Sequence, residues 1–131
     1  MESRSHLASL KKQNGQCNCA QAVVTTYADL AGIGNDTAMN ACNAFAAGMG
    51  NMEGTCGALV GAGFVLGLVK RDKVQAMKHM RHIMTQFQQE AGATQCRLLK
   101  GIDTGKPLLA CPQCVAKACQ LLEQHLDFDI C

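Results

Sequence analysis

The stretch that decides the fold is residues 54–69, which read Gly-Thr-Cys-Gly-Ala-Leu-Val-Gly-Ala-Gly-Phe-Val-Leu-Gly-Leu-Val. From Thr55 to Val69 a helix would be apolar on nearly every side, which is typical of an element surrounded by others. The apolar run from Cys56 to Val69 is shorter than the roughly 20 residues that a membrane-crossing helix needs. We therefore expect a buried central helix and no membrane span.

Upstream of this segment the pattern predicts two helices after a polar opening helix. Apolar residues at near i, i+3 and i+4 spacing over residues 17–31 predict one amphipathic helix that stops at Gly32. Asn35 or Asp36 can cap the next helix, which should continue to the turn over residues 48–54. That turn has three glycines in seven residues, so its backbone can adopt positive φ or approach a neighbour closely.

Downstream, Asp72 is placed to cap a long helix that ends at Gly92. The apolar stripe of this helix is formed by Val74, Met77, Met80, Met84 and Phe87. A short helical turn over residues 94–100 precedes a loop, and Pro112 then takes an early position in a last helix. Because no strand pattern or repeat is present and a chain near ~150 residues suits one core, we predict a single all-α domain, residues 1–131, built as a bundle of about five to six helices.

Charge and aromatic content argue against nucleic-acid binding. The formal net charge is +2, and the chain has one Tyr, four Phe and no Trp, which leaves few groups for phosphates or for stacked bases. Residues 1–13 lack the apolar stretch of an export signal. We therefore expect a cytoplasmic protein with no nucleic-acid or membrane partner, in a compartment that keeps thiols reduced.

Nine cysteines give the sequence its chemistry, and four of them stand near predicted helix starts. These four, the motif cysteines, are Cys19, Cys56, Cys96 and Cys111. At a helix N-terminus, unpaired amide N–H groups and the helix dipole stabilise a thiolate. Thiolate sulfur is the ligand that iron–sulfur clusters and many zinc sites use. We expect the four helix starts, and therefore the four sulfurs, to meet at one end of the bundle.

The motif cysteines and their neighbours resemble a known family. The matching segments are Asn18-Cys19-Ala20-Gln21-Ala22, Phe45-Ala46-Ala47-Gly48-Met49-Gly50, Thr55-Cys56-Gly57-Ala58-Leu59-Val60-Gly61-Ala62, Phe87, Cys96-Arg97-Leu98-Leu99 and Cys111. They are similar to the redox-active family named for its C_GCAxxG_C_C cysteine pattern. The resemblance implies an all-helical domain in which the motif cysteines form a redox or iron–sulfur site. The chain departs from the family in having Phe-Ala-Ala-Gly where the family tends to more glycine, and in its additional thiols at Cys17, Cys114 and Cys131.

Two other interpretations of the thiols stay open. Cys111-Pro112-Gln113-Cys114 has the Cys-x-x-Cys spacing of thiol–disulfide exchange, although the strand that precedes this motif in thioredoxin domains is not predicted. Structural zinc is usually bound by paired Cys-x-x-Cys motifs, and only one such pair is present. Cys114 would then be an additional thiol or a second ligand beside the site.

The sequence therefore predicts a protein that transfers electrons through an iron–sulfur cluster bound by the motif cysteines. Such a protein would need a redox protein as its partner, and a homodimer is the simplest closed assembly. The first alternative is a metal-free thiol–disulfide oxidoreductase or redox sensor that uses Cys111 and Cys114. The second alternative is an interaction module stabilised by zinc.

Overall fold

A computed structural model describes residues 2–126. Within these residues it contains eight α-helices and a π-helical turn, with one isolated β-bridge, between Thr55 and Gln95, and no strand. The helices are α1 (Ser5–Gln13), α2 (Cys19–Thr26), α3 (Ala28–Ala31), α4 (Asn35–Ala41), α5 (Gly57–Lys70), α6 (Lys73–Ala91), α7 (Cys96–Lys100) and α8 (Cys111–Leu126), and the π-helical turn is Gly48–Met52. The all-α prediction is confirmed, with more and shorter helices than expected.

One predicted helix, over residues 17–31, is divided in two at Tyr27. The backbone of Tyr27 (φ −114°, ψ 15°) leaves the helical region, so that α2 ends before it and α3 begins after it. Its side chain is fully buried, and its hydroxyl donates to Glu123 Oε2 at 2.5 Å. The expected stop at Gly32 is confirmed, because this glycine adopts the left-handed conformation that ends a helix (φ 75°).

The next predicted helix was expected to reach the glycine-rich turn, and this expectation is wrong. Helix α4 ends at Ala41, because side chains from the start of α2 bind the carbonyl groups at its end. The Nδ2 of Asn18 donates to the carbonyl oxygen of Cys42 at 3.0 Å, and the Nε2 of Gln21 donates to that of Met39 at 2.9 Å. Terminal carbonyl groups that are satisfied in this way do not require a further helical turn.

Helix α5 is the central element, as predicted. Leu59, Val65 and Leu66 have no exposed surface, and the helix contacts α2, α6 and α8. Glycine permits the close approach of α2, since a Cβ atom added to Gly61 would lie 2.9 Å from the carbonyl oxygen of Ala20. None of the helices in the described part of the chain combines the length and the hydrophobicity of a transmembrane segment.

The predicted apolar stripe of α6 is buried only in part. Phe87 is fully buried, but Val74 and Met77 are 70% and 60% exposed. The helix touches α5 at Met80, whose sulfur would lie 3.4 Å from a Cβ atom added to Gly63. A Cβ atom added to Gly67 would meet nothing within 4 Å, so no other element within residues 2–126 covers this position near the end of α5.

A buried polar network joins α1, α2 and α8. The carboxylate oxygen Oε2 of Glu123 accepts hydrogen bonds from the Tyr27 hydroxyl and, at 2.7 Å, from the backbone N–H of Arg4. The Arg4 side chain in turn donates to the carbonyl oxygen of Thr26 and pairs with Asp29 at 2.7 Å. These contacts fix the N-terminal segment against the bundle.

Candidate thiol site

Five cysteines line one cavity of about 130 Å³ where the N-terminal ends of α2, α5, α7 and α8 meet. They are Cys19, Cys56, Cys96, Cys111 and Cys114. Cys19, Cys96 and Cys111 are the first residues of their helices, and Cys56 immediately precedes α5. The structure therefore brings all four motif cysteines to one place. We define the thiol site as this cavity and its five cysteines.

Backbone hydrogen bonds hold two of the motif cysteines side by side. The N–H of Cys56 donates to the carbonyl oxygen of Thr94 at 2.8 Å, and the N–H of Cys96 donates to that of Gly54 at 3.0 Å. These two bonds surround the bridge between Thr55 and Gln95. Two segments that are distant in sequence are thus joined just before α5 and α7 begin, which fixes the relative positions of their cysteines.

The start of α2 is fixed by a capping box. Asn18 Oδ1 accepts from the Gln21 N–H at 2.8 Å, and Gln21 Oε1 accepts from the Asn18 N–H at 3.0 Å. The glycine that follows Cys56 makes room for this helix start. A Cβ atom added to Gly57 would lie 2.6 Å from the Phe45 carbonyl oxygen and 3.4 Å from the Cβ of Cys19, so a larger residue there would collide with the backbone at Phe45.

The glycine turn, residues 48–54, closes one side of the cavity. Positive φ was predicted there, and Gly48 (φ 58°) and Gly50 (φ 90°) adopt it. Two non-glycine residues of the turn, Met49 and Met52, also have positive φ, as does Ala47 just before it, and this conformation costs free energy for residues with a Cβ atom. The predicted close approach is observed as well, because the backbone of Gly48 lies directly against the side chain of Cys96.

The thiols interact in two pairs, one between Cys19 and Cys111 and one between Cys56 and Cys114, and all four of these cysteines line the same cavity. Because a thiol has a single hydrogen, the S–H of Cys114 is shared between Cys56 and the carbonyl oxygen of Leu109, which lies 3.5 Å from the Cys114 sulfur. The sequence indicated Cys114 only as an additional thiol beside the site, and the structure places it in the cavity wall against Cys56. The Cys-x-x-Cys spacing to Cys111 was the only signal for it.

Within each pair, one thiol has a lowered pKa and the other has a raised pKa. The hydrogen bond from Cys19, followed by the charges of Lys100 and Lys12, lowers the pKa of Cys111 to about 6. The pKa of Cys56 is lowered by the hydrogen bond from Cys114 and then by the backbone N–H groups of α5. The pKa values of the donor thiols Cys19 and Cys114 are raised, first by the hydrogen bonds they donate and then by burial.

The fifth thiol, that of Cys96, has a pKa raised by burial. Lys12, at the end of α1, and Lys100, at the end of α7, were not predicted as site residues, because no spacing in the sequence links them to the cysteines. Among residues 2–126, no carboxylate lines this cavity, so the fixed charges that these residues place around the sulfurs are positive. Positive surroundings of this kind stabilise thiolates and negatively charged groups bound in the cavity.

Three other described cysteines lie outside this cavity. Cys17 is half-buried with its sulfur 3.8 Å from that of Met39, while Cys42 and Cys119 are fully buried in the core. Cys131 is outside the described residues. Within residues 2–126, no three His, Cys, Asp or Glu side chains form a group with the geometry of a single metal-ion site. A cluster distributes its thiolates over several iron atoms, so its ligands need not converge on one point.

A comparison with family models shows the family of this chain. Neither the curated proteins nor the solved structures gave a match. The family model described as "Putative redox-active protein (C_GCAxxG_C_C)" matches residues 17–125, a range that includes all five cysteines of the thiol site. The chain belongs to this family of redox-active proteins.

Proposed function

We propose that the thiol site binds an iron–sulfur cluster through Cys19, Cys56, Cys96 and Cys111, and that the protein transfers electrons. One observation supports this proposal above all others. Four cysteines from four different helix starts line a single cavity, and thiolate sulfur is the usual protein ligand of such clusters.

The surroundings of the sulfurs suit a cluster. When bound, the cluster would supply one-electron redox chemistry. The chain's own residues would set its environment, because Lys12 and Lys100 place positive charge beside the thiolates and the backbone N–H groups of Ala58 and Leu59 at the start of α5 lower the pKa of Cys56. Hydrogen bonds to sulfur, positive charge and exclusion of solvent are the means by which proteins adjust the potential of a cluster.

Anaerobic reconstitution with iron and sulfide tests the proposal. We expect the wild-type protein to gain iron, acid-labile sulfide and visible absorption, and Cys19→Ser to lose most of all three. Cys17→Ser is the matched control, since this half-buried cysteine lies two residues away but does not line the cavity, and it should bind as much iron as the wild type. A wild-type protein that stays colourless and free of iron would overturn the proposal.

The metal-free oxidoreductase is the competing proposal, and Cys114 distinguishes the two. If Cys111 and Cys114 exchange disulfides without metal, Cys114→Ser abolishes activity towards a disulfide substrate while the wild type contains no iron. If a cluster is present, Cys114→Ser keeps most of the iron. Zinc without acid-labile sulfide would favour the interaction module instead.

The assembly and the partner are further parts of this proposal. We propose a homodimer that exchanges electrons with a redox protein. The exposed Val74 and Met77 provide an apolar surface on α6 that a second subunit could cover, and light scattering that returned a monomer at every workable concentration would reject the dimer.

A further inference from the structure

We propose that the metal-free thiol site forms two crossed disulfides, Cys19–Cys111 and Cys56–Cys114, when it is oxidised by a low-molecular-weight disulfide. The Cys-x-x-Cys spacing predicts a different product, a disulfide between Cys111 and Cys114. The crossed pairing concerns the protein without metal, so it does not rest on the cluster proposal.

The sulfur contacts carry this inference. Cys111 and Cys114 are three positions apart on α8 and share one face of it, but each sulfur is hydrogen-bonded to a cysteine of another element. Cys111 contacts Cys19 at the start of α2, and Cys114 contacts Cys56 before α5. Interacting thiols that line the same small cavity need only a limited movement to form a bond, whereas a bond within α8 would first require both interactions to break.

The surroundings of Cys114 oppose the rearrangement that the local disulfide needs. This side chain is 2% exposed, and its thiol is also close to the carbonyl oxygen of Leu109. To reach Cys111, the Cys114 sulfur would have to turn away from both neighbours inside a packed cavity wall. Side chains in such surroundings are restricted to few rotamers.

The oxidation balances for each pair. A thiol of the pair attacks the small disulfide, forms a mixed disulfide and releases one small thiol; its partner then displaces the second small thiol and closes the protein disulfide. Each protein disulfide therefore gives two electrons and two protons to one molecule of oxidant. Complete oxidation of the four thiols consumes two molecules of the small disulfide and releases four small thiols.

Oxidation in this pattern would have a consequence for ligand binding. The two disulfides would join α8 to α2 and to the segment before α5, and they would leave only Cys96 as a free thiol in the cavity. Three of the four motif cysteines would then be unable to bind metal. The crossed state and the metal-bound state would exclude each other, which makes the site responsive to the thiol–disulfide balance around it.

Disulfide mapping tests the pairing in the full chain. The metal-free, reduced protein is treated with oxidised glutathione, its remaining thiols are blocked with iodoacetamide, and it is cleaved with cyanogen bromide and then trypsin. Met and Lys positions divide the chain so that Cys19 falls in residues 13–39, Cys56 in residues 53–70, and both Cys111 and Cys114 in residues 101–117. We expect these three peptides to be linked as one species. Tandem mass spectrometry should show Cys111 bonded to the peptide of residues 13–39 and Cys114 bonded to the peptide of residues 53–70.

Single variants verify the assignment. Cys114→Ser should release the 53–70 peptide and keep the 13–39 link, and Cys111→Ser should do the reverse. Cys17→Ser, the matched control for the second cysteine in residues 13–39, should keep both links. If a variant loses its helical circular dichroism, the wild-type assignment decides alone. The proposal is overturned by an internal disulfide within residues 101–117 with the other two peptides free, or by the absence of both crossed links.

Discussion

Gly48 and Cys96 approach each other so closely that a Cβ atom added to Gly48 would lie 2.6 Å from the Cβ of Cys96. Gly48 also has a positive φ of 58°, a conformation that glycine adopts without steric cost. Both the close approach and the positive φ require glycine at this position. The turn can lie against the start of α7 only because its first residue lacks a side chain, and this contact helps to hold Cys96 in the thiol site.

We predict that Gly48→Ala destabilises the protein by more than the ~1–2 kcal/mol that a left-handed alanine costs, because the new methyl group also displaces Cys96. Gly50→Ala is the matched control, since Gly50 has φ 90° but a Cβ atom there would meet nothing within 4 Å. Urea unfolding measures both. In the native state, alkylation of Cys96 should be faster in Gly48→Ala than in the wild type and unchanged in Gly50→Ala. If the two variants had equal stability and equal rates of Cys96 alkylation, the contact between Gly48 and Cys96 would not matter.

Several features of the site were predictable because they depend on local sequence. A glycine-rich turn is marked by its composition, as over residues 48–54. Once the helices were placed, the position of each motif cysteine at a helix start followed. Local rules of this kind also predicted the caps at Asp72 and Gly92, both of which are observed.

Other features depend on contacts between distant residues, and local patterns carry no information about them. The end of α4 depends on the side chains of Asn18 and Gln21, and the exposure of Val74 depends on where the other helices lie. The same limit explains why Lys12 was missed: it lies seven positions before Cys19, and only the path of α1 across the bundle brings it to the cavity.

We predict that Lys12→Met raises the pKa of Cys111 in the metal-free, reduced protein. The wild-type pKa is about 6, so the reactive thiolate predominates at neutral pH and is lost only as the pH falls through that value. Removal of one positive charge moves this loss to higher pH. The rate of Cys111 alkylation at pH 6 should therefore fall several-fold, as measured by mass spectrometry of the peptide of residues 101–117.

Lys11→Met is the control for this change. Lys11 belongs to the same helix, but its Nζ donates to the Thr25 hydroxyl at 3.1 Å and it does not line the cavity. Its replacement should leave the pH profile of Cys111 nearly unchanged. Identical profiles for Lys12→Met and the wild type would show that Lys12 does not influence the thiolate.

Alanine substitutions at two glycines of α5, Gly61 and Gly67, should change the stability of the protein in opposite directions. A Cβ atom at Gly61 would lie 2.9 Å from the Ala20 carbonyl oxygen and 3.1 Å from the Cβ of Val23, so Gly61→Ala should destabilise the protein by about 1–3 kcal/mol. Gly67 faces open space, and alanine there should stabilise the helix by up to about 1 kcal/mol. Thermal unfolding should show a lower midpoint for the first variant and a higher one for the second. Two shifts of the same sign would contradict the close packing of α2 on α5.

The last prediction concerns the buried carboxylate of Glu123. Tyr27→Phe removes the hydroxyl that donates to Glu123 Oε2 and leaves that oxygen with the N–H of Arg4 as its remaining donor. Because a buried polar group that loses a partner costs about 1–3 kcal/mol, we expect a loss of stability in this range in urea unfolding. Asp29→Asn is the control, since its ion pair with Arg4 is exposed and should contribute less than about 1 kcal/mol.

Because the network fixes α1, whose Lys12 lines the thiol site, Tyr27→Phe should also slow Cys111 alkylation slightly, and Asp29→Asn should not. A Tyr27→Phe protein as stable as the wild type would show that this hydrogen bond does not contribute to holding the N-terminal segment.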